Sequence, residues 1–179
     1  MKFLNKSLNR MLELHGDTPN TTIASIYGCI AVTYGSQGDY SSAMDHYQKS
    51  LTMQLKIHGD SPHLHTATSY SNIGVIYQSE GNYSSAMDHY QKSLAVRLKI
   101  HGDSPHPDIA ASYTNIGAIH QSQGDYSLAM DHYQKSLAVG LKFMVTLHIH
   151  ILLHHTTTSA LCTDHRVTTA QQWITIRRP

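Results

Sequence analysis

Charge is scarce in this 179-residue chain. Asp, Glu, Lys and Arg make up only 14% of it, against roughly a quarter in ordinary globular domains. Formal net charge is +1 with His neutral, which provides no basic field for nucleic acid or anionic lipid. Cysteine is almost missing too. Cys29 and Cys162 stand without CxxC spacing, so a disulfide framework and a thiolate zinc site are not expected. Long apolar runs are lacking. The N-terminal MKFLNKSLNRMLELHG has no continuous apolar core and does not read as a signal peptide. The stretch Phe143–Leu153 is short and broken by His148 and His150, so the sequence predicts no membrane span. No Gly-rich phosphate loop, paired-carboxylate site or nucleophile turn is present, so neither an enzyme nor a cofactor is expected. A cytoplasmic, non-catalytic chain is the expectation, and 40% hydrophobic content is enough to fill a core.

What the chain has in abundance is a period. His15-Gly16-Asp17 recurs at His58 and His101, each time 43 residues on, and Tyr27, Tyr70 and Tyr113 keep the same step. Residues 59–101 and 102–144 are identical at 30 of 43 positions. Copies this similar are one supersecondary unit repeated, and one such unit cannot bury its own apolar face, so the units must stack. Each unit reads as two helices. The second carries Tyr40, Ala43, Met44, Tyr47 and Leu51 at helical spacing, with Asp39, Asn82 and Asp125 placed as its N-caps. Asp45/Lys49, Asp88/Lys92 and Asp131/Lys135 are spaced as i, i+4 ion pairs. The first carries Tyr70, Ile73, Gly74, Ile76 and Tyr77, and its internal glycine implies close approach to a neighbour, with Ala86 and Ala129 the candidates. The spacing predicts helices over 2–15, 21–36, 40–57, 64–79, 83–100, 107–122 and 126–142.

Tyr113, Ile116, Gly117, His120, Gly124, Tyr126, Ala129, Tyr133 and Leu137 fit W-x2-L-G-x2-Y-x3-G-x-Y-x2-A-x3-F/Y-x3-L, with Tyr for Trp, and copies from Tyr27 and Tyr70 fit it too. The chain therefore resembles the tetratricopeptide repeats. The nine residues beyond the usual 34 resemble the longer linker of the kinesin-light-chain-like subclass, through His101-Gly102-Asp103-Ser104-Pro105-His106-Pro107-Asp108-Ile109-Ala110. The resemblance implies an all-α, right-handed superhelical solenoid. Residues 1–15 are half a repeat, 16–142 three repeats, and 143–179 a tail outside the pattern.

The resemblance also implies a protein-interaction scaffold that takes a peptide in a concave groove lined by the first helices. By motif position the groove residues are Ser71, Asn72, Val75, Gln78, Thr114, Asn115, Ala118 and Gln121, flanked by Ser79 and Ser122. The asparagines are placed to bond a peptide backbone or, alternatively, a neighbouring helix. No Lys or Arg falls on the first helices, so neither a carboxylate clamp nor a preference for acidic peptides is expected. The partner is an unidentified protein or peptide, with self-association through exposed terminal repeat faces as a further expectation.

Two other readings stand beside the scaffold. Fifteen histidines suggest a His-rich metal-binding protein, with His46, His89 and His132 recurring next to Asp45, Asp88 and Asp131. Equivalent positions in stacked repeats sit roughly 10 Å apart, too far to share an ion, so solvated surface histidines and no metal site are expected. The tail histidines, His148, His150, His154 and His155, read as adventitious ligands. The last reading is a truncated repeat fragment without independent function, the tail being the next repeat in a shifted frame. Gln172–Arg178 written CAA TGG ATC ACT ATC AGA AGA contains ATG GAT CAC TAT CAG AAG, which encodes the string Met130–Lys135, and Trp173 lies 43 residues after Met130. Lys142–Thr146 written AAA TTC ATG GTG ACT likewise contains the codons of Ile100–Asp103. On that reading the tail is loosely ordered beyond Leu153.

Overall fold

A computed structural model describes residues 2–16 and 18–176, with side chains described for 2–16 and 18–152. Its elements are α1 (Lys2–His15), α2 (Thr21–Ser36), α3 (Tyr40–His58), α4 (Leu64–Ser79), α5 (Tyr83–His101), α6 (Pro107–Ser122) and α7 (Tyr126–Ile176). Among the described residues there is no strand. The fold is an all-α solenoid of helix–turn–helix repeats, and α1 to α6 follow the periodicity to within one residue. Residues 1–140 and 141–179 form two separate units.

Local chemistry sets the helix ends in the first unit. The Asn20 side chain caps α2 by accepting from the Thr22 and Ile23 amides at 2.8 and 3.2 Å, and Asp39 and Asn82 do the same for α3 and α5. The C-termini of α3 and α5 stop at Gly59 and Gly102, whose φ of 58° and 57° is open to glycine at little cost. His63 and His106 then cap α4 and α6 through Nδ1, each accepting the amide two residues on.

Helices α2 and α4 pack on the second helix of their own repeat, α2, α4 and α6 on the second helix before them, and α6 meets α7 at Gly117–Tyr133 and Thr114–Ser136. Ala31, Ala43, Tyr47, Ile73 and Ile76 form one buried cluster, with Tyr40, Met44 and Leu51 against it. Ala86, Tyr90, Ile116 and Ile119 form the next, with Tyr83, Met87 and Leu94 against it. Buried serines tie the helices of a repeat together. Ser50 donates to the Ala24 carbonyl at 2.7 Å and Ser93 to that of Ala67 at 2.8 Å. One recurring position ties each repeat to the next. Gln54 accepts from Ser69, and Arg97 donates to the Ser112 hydroxyl at 2.7 Å and the Asp108 carbonyl at 2.9 Å.

The structure departs from the sequence reading in several places. Gly74 and Gly117 make their close approach to tyrosine rings, not chiefly to alanine. A Cβ on Gly74 would stand 2.7 Å from Tyr90, and one on Gly117 2.8 Å from Tyr133. Asp45–Lys49 and Asp131–Lys135 pair as expected, but Lys92 lies 6.0 Å over the Tyr70 ring instead of pairing with Asp88. The largest departure is α7, which runs on to Ile176 with no break at Lys142. Glycine and proline stop the earlier second helices, but Val145 and His148 occupy the places of Gly102 and Pro105. With both stop signals gone the helix propagates. An 18-residue window within Tyr126–Leu152 reaches mean hydropathy 1.3, so this helix is long and apolar enough to cross a membrane. That holds by length and composition only, and the expectation of no span rests on the shorter stretch Phe143–Leu153. The side chains of His154, His155, Cys162 and Gln172–Arg178 lie outside those described.

Candidate functional site

The face to which the first helices contribute is nearly free of charge. α2 and α4 carry no Asp, Glu, Lys or Arg, and α6 carries only Asp108. Between α2, α3 and α4 it opens into a cavity of about 310 Å³ lined by Val32, Gly35, Ser36, Tyr40, Tyr47, Asn72, Val75, Ile76 and Ser79. A cavity this size lies at the small end of ligand pockets.

Two substitutions within the repeat leave polar groups open there. In the second and third repeats a first-helix glutamine holds the tyrosine of its second helix: Tyr90 donates to Gln78 Oε1 at 2.8 Å and Tyr133 to Gln121 Oε1 at 2.7 Å. The equivalent of these glutamines in the first repeat is Gly35, so the hydroxyl of Tyr47 has no such partner and the ring borders the cavity. Asn115 donates to Ser71 Oγ at 3.3 Å, joining α6 to α4. One repeat earlier the same step leads from Asn72 to Gly28, which has no side chain to bond. Among the described residues neither Asn72 nor Tyr47 makes a side-chain hydrogen bond, and burial holds the Tyr47 hydroxyl above its ordinary pKa, with Cys29 a lesser cause.

The eight residues expected in the groove are thus used differently. Asn72, half-buried, and Val75, exposed, meet at the cavity. Ser71 is buried as the acceptor for Asn115. Gln78 and Gln121 hold tyrosines. Thr114 bonds Ser136 of α7 at 2.9 Å, and Ala118 is half-buried, its carbonyl accepting from Ser122. Val32 and Ser36 also line the cavity, and sequence reasoning passed over them. The signal was available, since they stand 43 residues before Val75 and Ser79.

The recurring histidines are not simply solvated. His46 lies against Tyr27 and Tyr34, His89 against Tyr70 and Tyr77, and His132 against Tyr113 and His120. His46 and His89 bond through Nδ1 to the carbonyl one turn back at 2.8 Å. Potential ligand atoms of His101, His106 and Asp108 lie within 4.8 Å of one another. However, the two imidazoles are stacked, 3.7 Å between centroids and 13° from parallel. Ring-nitrogen lone pairs lie in the ring planes, so two stacked rings point theirs side by side and not at one ion. The Nδ1 of His106 already accepts the Asp108 amide, which makes this cluster a helix cap.

A sequence model described as "Tetratricopeptide repeat" matches residues 22–99 and 65–142. Among curated proteins, none matches the chain. Similar solved structures include BtubC (BKLC) from P. vanneervenii, at 21% identity and TM-score 0.70, covering 78% of this chain and 55% of the other. A putative kinesin light chain from Podospora anserina with nearly identical repeats has 18% identity and TM-score 0.63, covering 79% and 65%. The Rap conjugation regulator of plasmid pLS20, in complex with the Phr* peptide, has 19% identity and TM-score 0.63, covering 76% and 36%. The chain spans about half the length of the first of these.

Proposed function

Because this chain belongs to the tetratricopeptide repeat family, we propose that it is a non-catalytic scaffold that captures a peptide segment on its first helices, at the cavity between α2, α3 and α4. The observation that carries this reading is that Asn72 and Tyr47, whose side chains make no hydrogen bond among the described residues, border a recess whose two serines, Ser36 and Ser79, are already bonded to their own helices. Such a recess takes one apolar side chain while Asn72 bonds the peptide backbone beside it. The absence of charge on α2 and α4 favours a neutral segment over an acidic or basic one. The linkers between repeats support placing the chain in the kinesin-light-chain-like subclass.

Peptides selected from a random display library against the full chain test the reading. Asn72→Ala and Val75→Lys should each weaken the selected peptide by about tenfold or more, the scale of a central interface residue. Asn115→Ala should leave affinity unchanged, because its amide is spent on Ser71. Raising salt should change affinity little. Selected peptides that bind Asn72→Ala and Val75→Lys as well as the unaltered chain would refute the assignment.

A further inference from the structure

Residues 40–51 and 83–94 are identical, and 126–137 differ from them only by Leu128. In the first two copies this stretch makes one interface twice. Tyr40, Met44 and Leu51 of α3 pack against a buried cluster that includes Ile73 and Ile76 of α4, and Tyr83, Met87 and Leu94 of α5 pack against one that includes Ile116 and Ile119 of α6. In the third copy the same residues face solvent. Tyr126 is 71% exposed, Met130 58% and Leu137 62%.

We infer that this face of α7 binds, in trans, an α-helix of the α4/α6 kind, the first helix of a repeat of this same 43-residue type carried by another chain. The surface is the third in a series whose other two members each hold such a helix. A second folded copy has none to offer, because α2, α4 and α6 are each already packed against the second helix before them. A bilayer is the poorer occupant for residues 126–137, since this segment is amphipathic, with Asp131 and Lys135 paired at 2.6 Å outside the stripe of Tyr126, Met130 and Leu137. The surface is distinct from the α2–α3–α4 cavity, so the two assignments stand or fall separately.

The test is titration of the full chain with a synthetic peptide of residues 102–125, which carries the α6 helix and its caps. Saturable one-to-one binding is expected, accompanied by a gain in helicity. Met130→Lys, at a solvent-facing position the fold tolerates, should weaken it by about tenfold or more. An Ile119→Asp peptide should fail to bind, and Val75→Lys in the chain should make no difference. The inference is overturned if the peptide does not bind, or if binding survives Met130→Lys or Ile119→Asp. A chain dimer sensitive to Met130→Lys but not displaced by the peptide overturns it in favour of a second copy. Partition of the 126–137 face into phosphatidylcholine vesicles, undiminished by the peptide, overturns it in favour of a membrane.

Discussion

Gly74 shows how a single residue sets the spacing of two helices. Its missing Cβ lets the Tyr90 ring close to within 2.7 Å of where that atom would stand, and Tyr90 is itself almost fully buried. Gly74→Ala should therefore cost about 1–3 kcal/mol through overpacking, although alanine is the better helix former. Gly28→Ala is the matched control. Its Cβ would meet only Ser50 Oγ, at 3.8 Å, so gain of helix propensity should leave the protein equal or more stable. Urea unfolding of both variants gives the comparison, and equal losses in the two would mean the tyrosine contact is not what the glycine serves. The sequence revealed that position 74 needed a close neighbour but pointed to Ala86. Spacing along one helix does not say which residue of the partner rises into the gap. The same limit applies to Asn72 and Asn115, which are equivalent in sequence and differ because one faces Ser71 and the other Gly28.

At the scale of elements, the joints between repeats are built from stacked imidazoles. His58 stacks on His63 with 3.7 Å between centroids, and His101 stacks on His106 at the same distance. Burial first, and neighbouring imidazoles second, hold the pKa of His63 and of His101 below the ordinary 6.5; Asp108 opposes the shift at His101, and Arg97 adds to it. Unfolding restores the ordinary value, so the unfolded chain binds more protons in that window. The stabilisation is whole above pH 6.5 and is lost as pH falls through the lowered folded values. Melting temperature should hold near about pH 7.5 and drop toward about pH 5, and His63→Asn, which keeps an N-cap, should flatten the drop. Asp39 and Asp131, whose carboxyls are held below 3.8 by Ser42 and Lys135 respectively, act only in a more acidic range. A melting temperature that rises on acidification would contradict the assignment of these joints.

The elements also show where a sequence pattern stops informing. Helices α1 to α6 were legible because periodic apolar stripes and punctuating Gly, Pro and cap residues agree. The end of α7 was not, because loss of a repeat is not itself a signal for loop. Restoring the punctuation with Val145→Gly and His148→Pro should end α7 near residue 144. The Gly and Pro would oppose helix continuation by about 1 and about 3 kcal/mol. Far-ultraviolet circular dichroism should then show a fall in helix content, and unchanged helicity would mean that the extension is held by something other than its missing stop.

Over the whole molecule, the array is a one-dimensional stack in which each helix answers only to its neighbours. The cavity was only partly legible at this scale. Its borders lie on three helices, and its open groups arise from what Gly28 and Gly35 lack. A motif match aligns positions across repeats without registering that a partner is missing. The identity of residues 40–51 and 83–94 has another side. While the chain folds, α4 and α6 meet two docking surfaces of identical sequence, and nothing in those twelve residues tells one from the other. Discrimination falls to the position just beyond, where Gln54 meets Ser69 and Arg97 meets Ser112 and the Asp108 carbonyl. If α6 docks on α3, Asp108 faces Gln54 and the charge attraction to Arg97 is forfeited. Arg97→Gln makes the two addresses alike. It should add a slow refolding phase, as chains that have paired one repeat out of step must separate and search again. Stopped-flow refolding that stays single-exponential in this variant would show that register is chosen elsewhere. A protein that grows by copying itself thus acquires a proofreading problem, and Arg97→Gln tests whether a single buried guanidinium solves it.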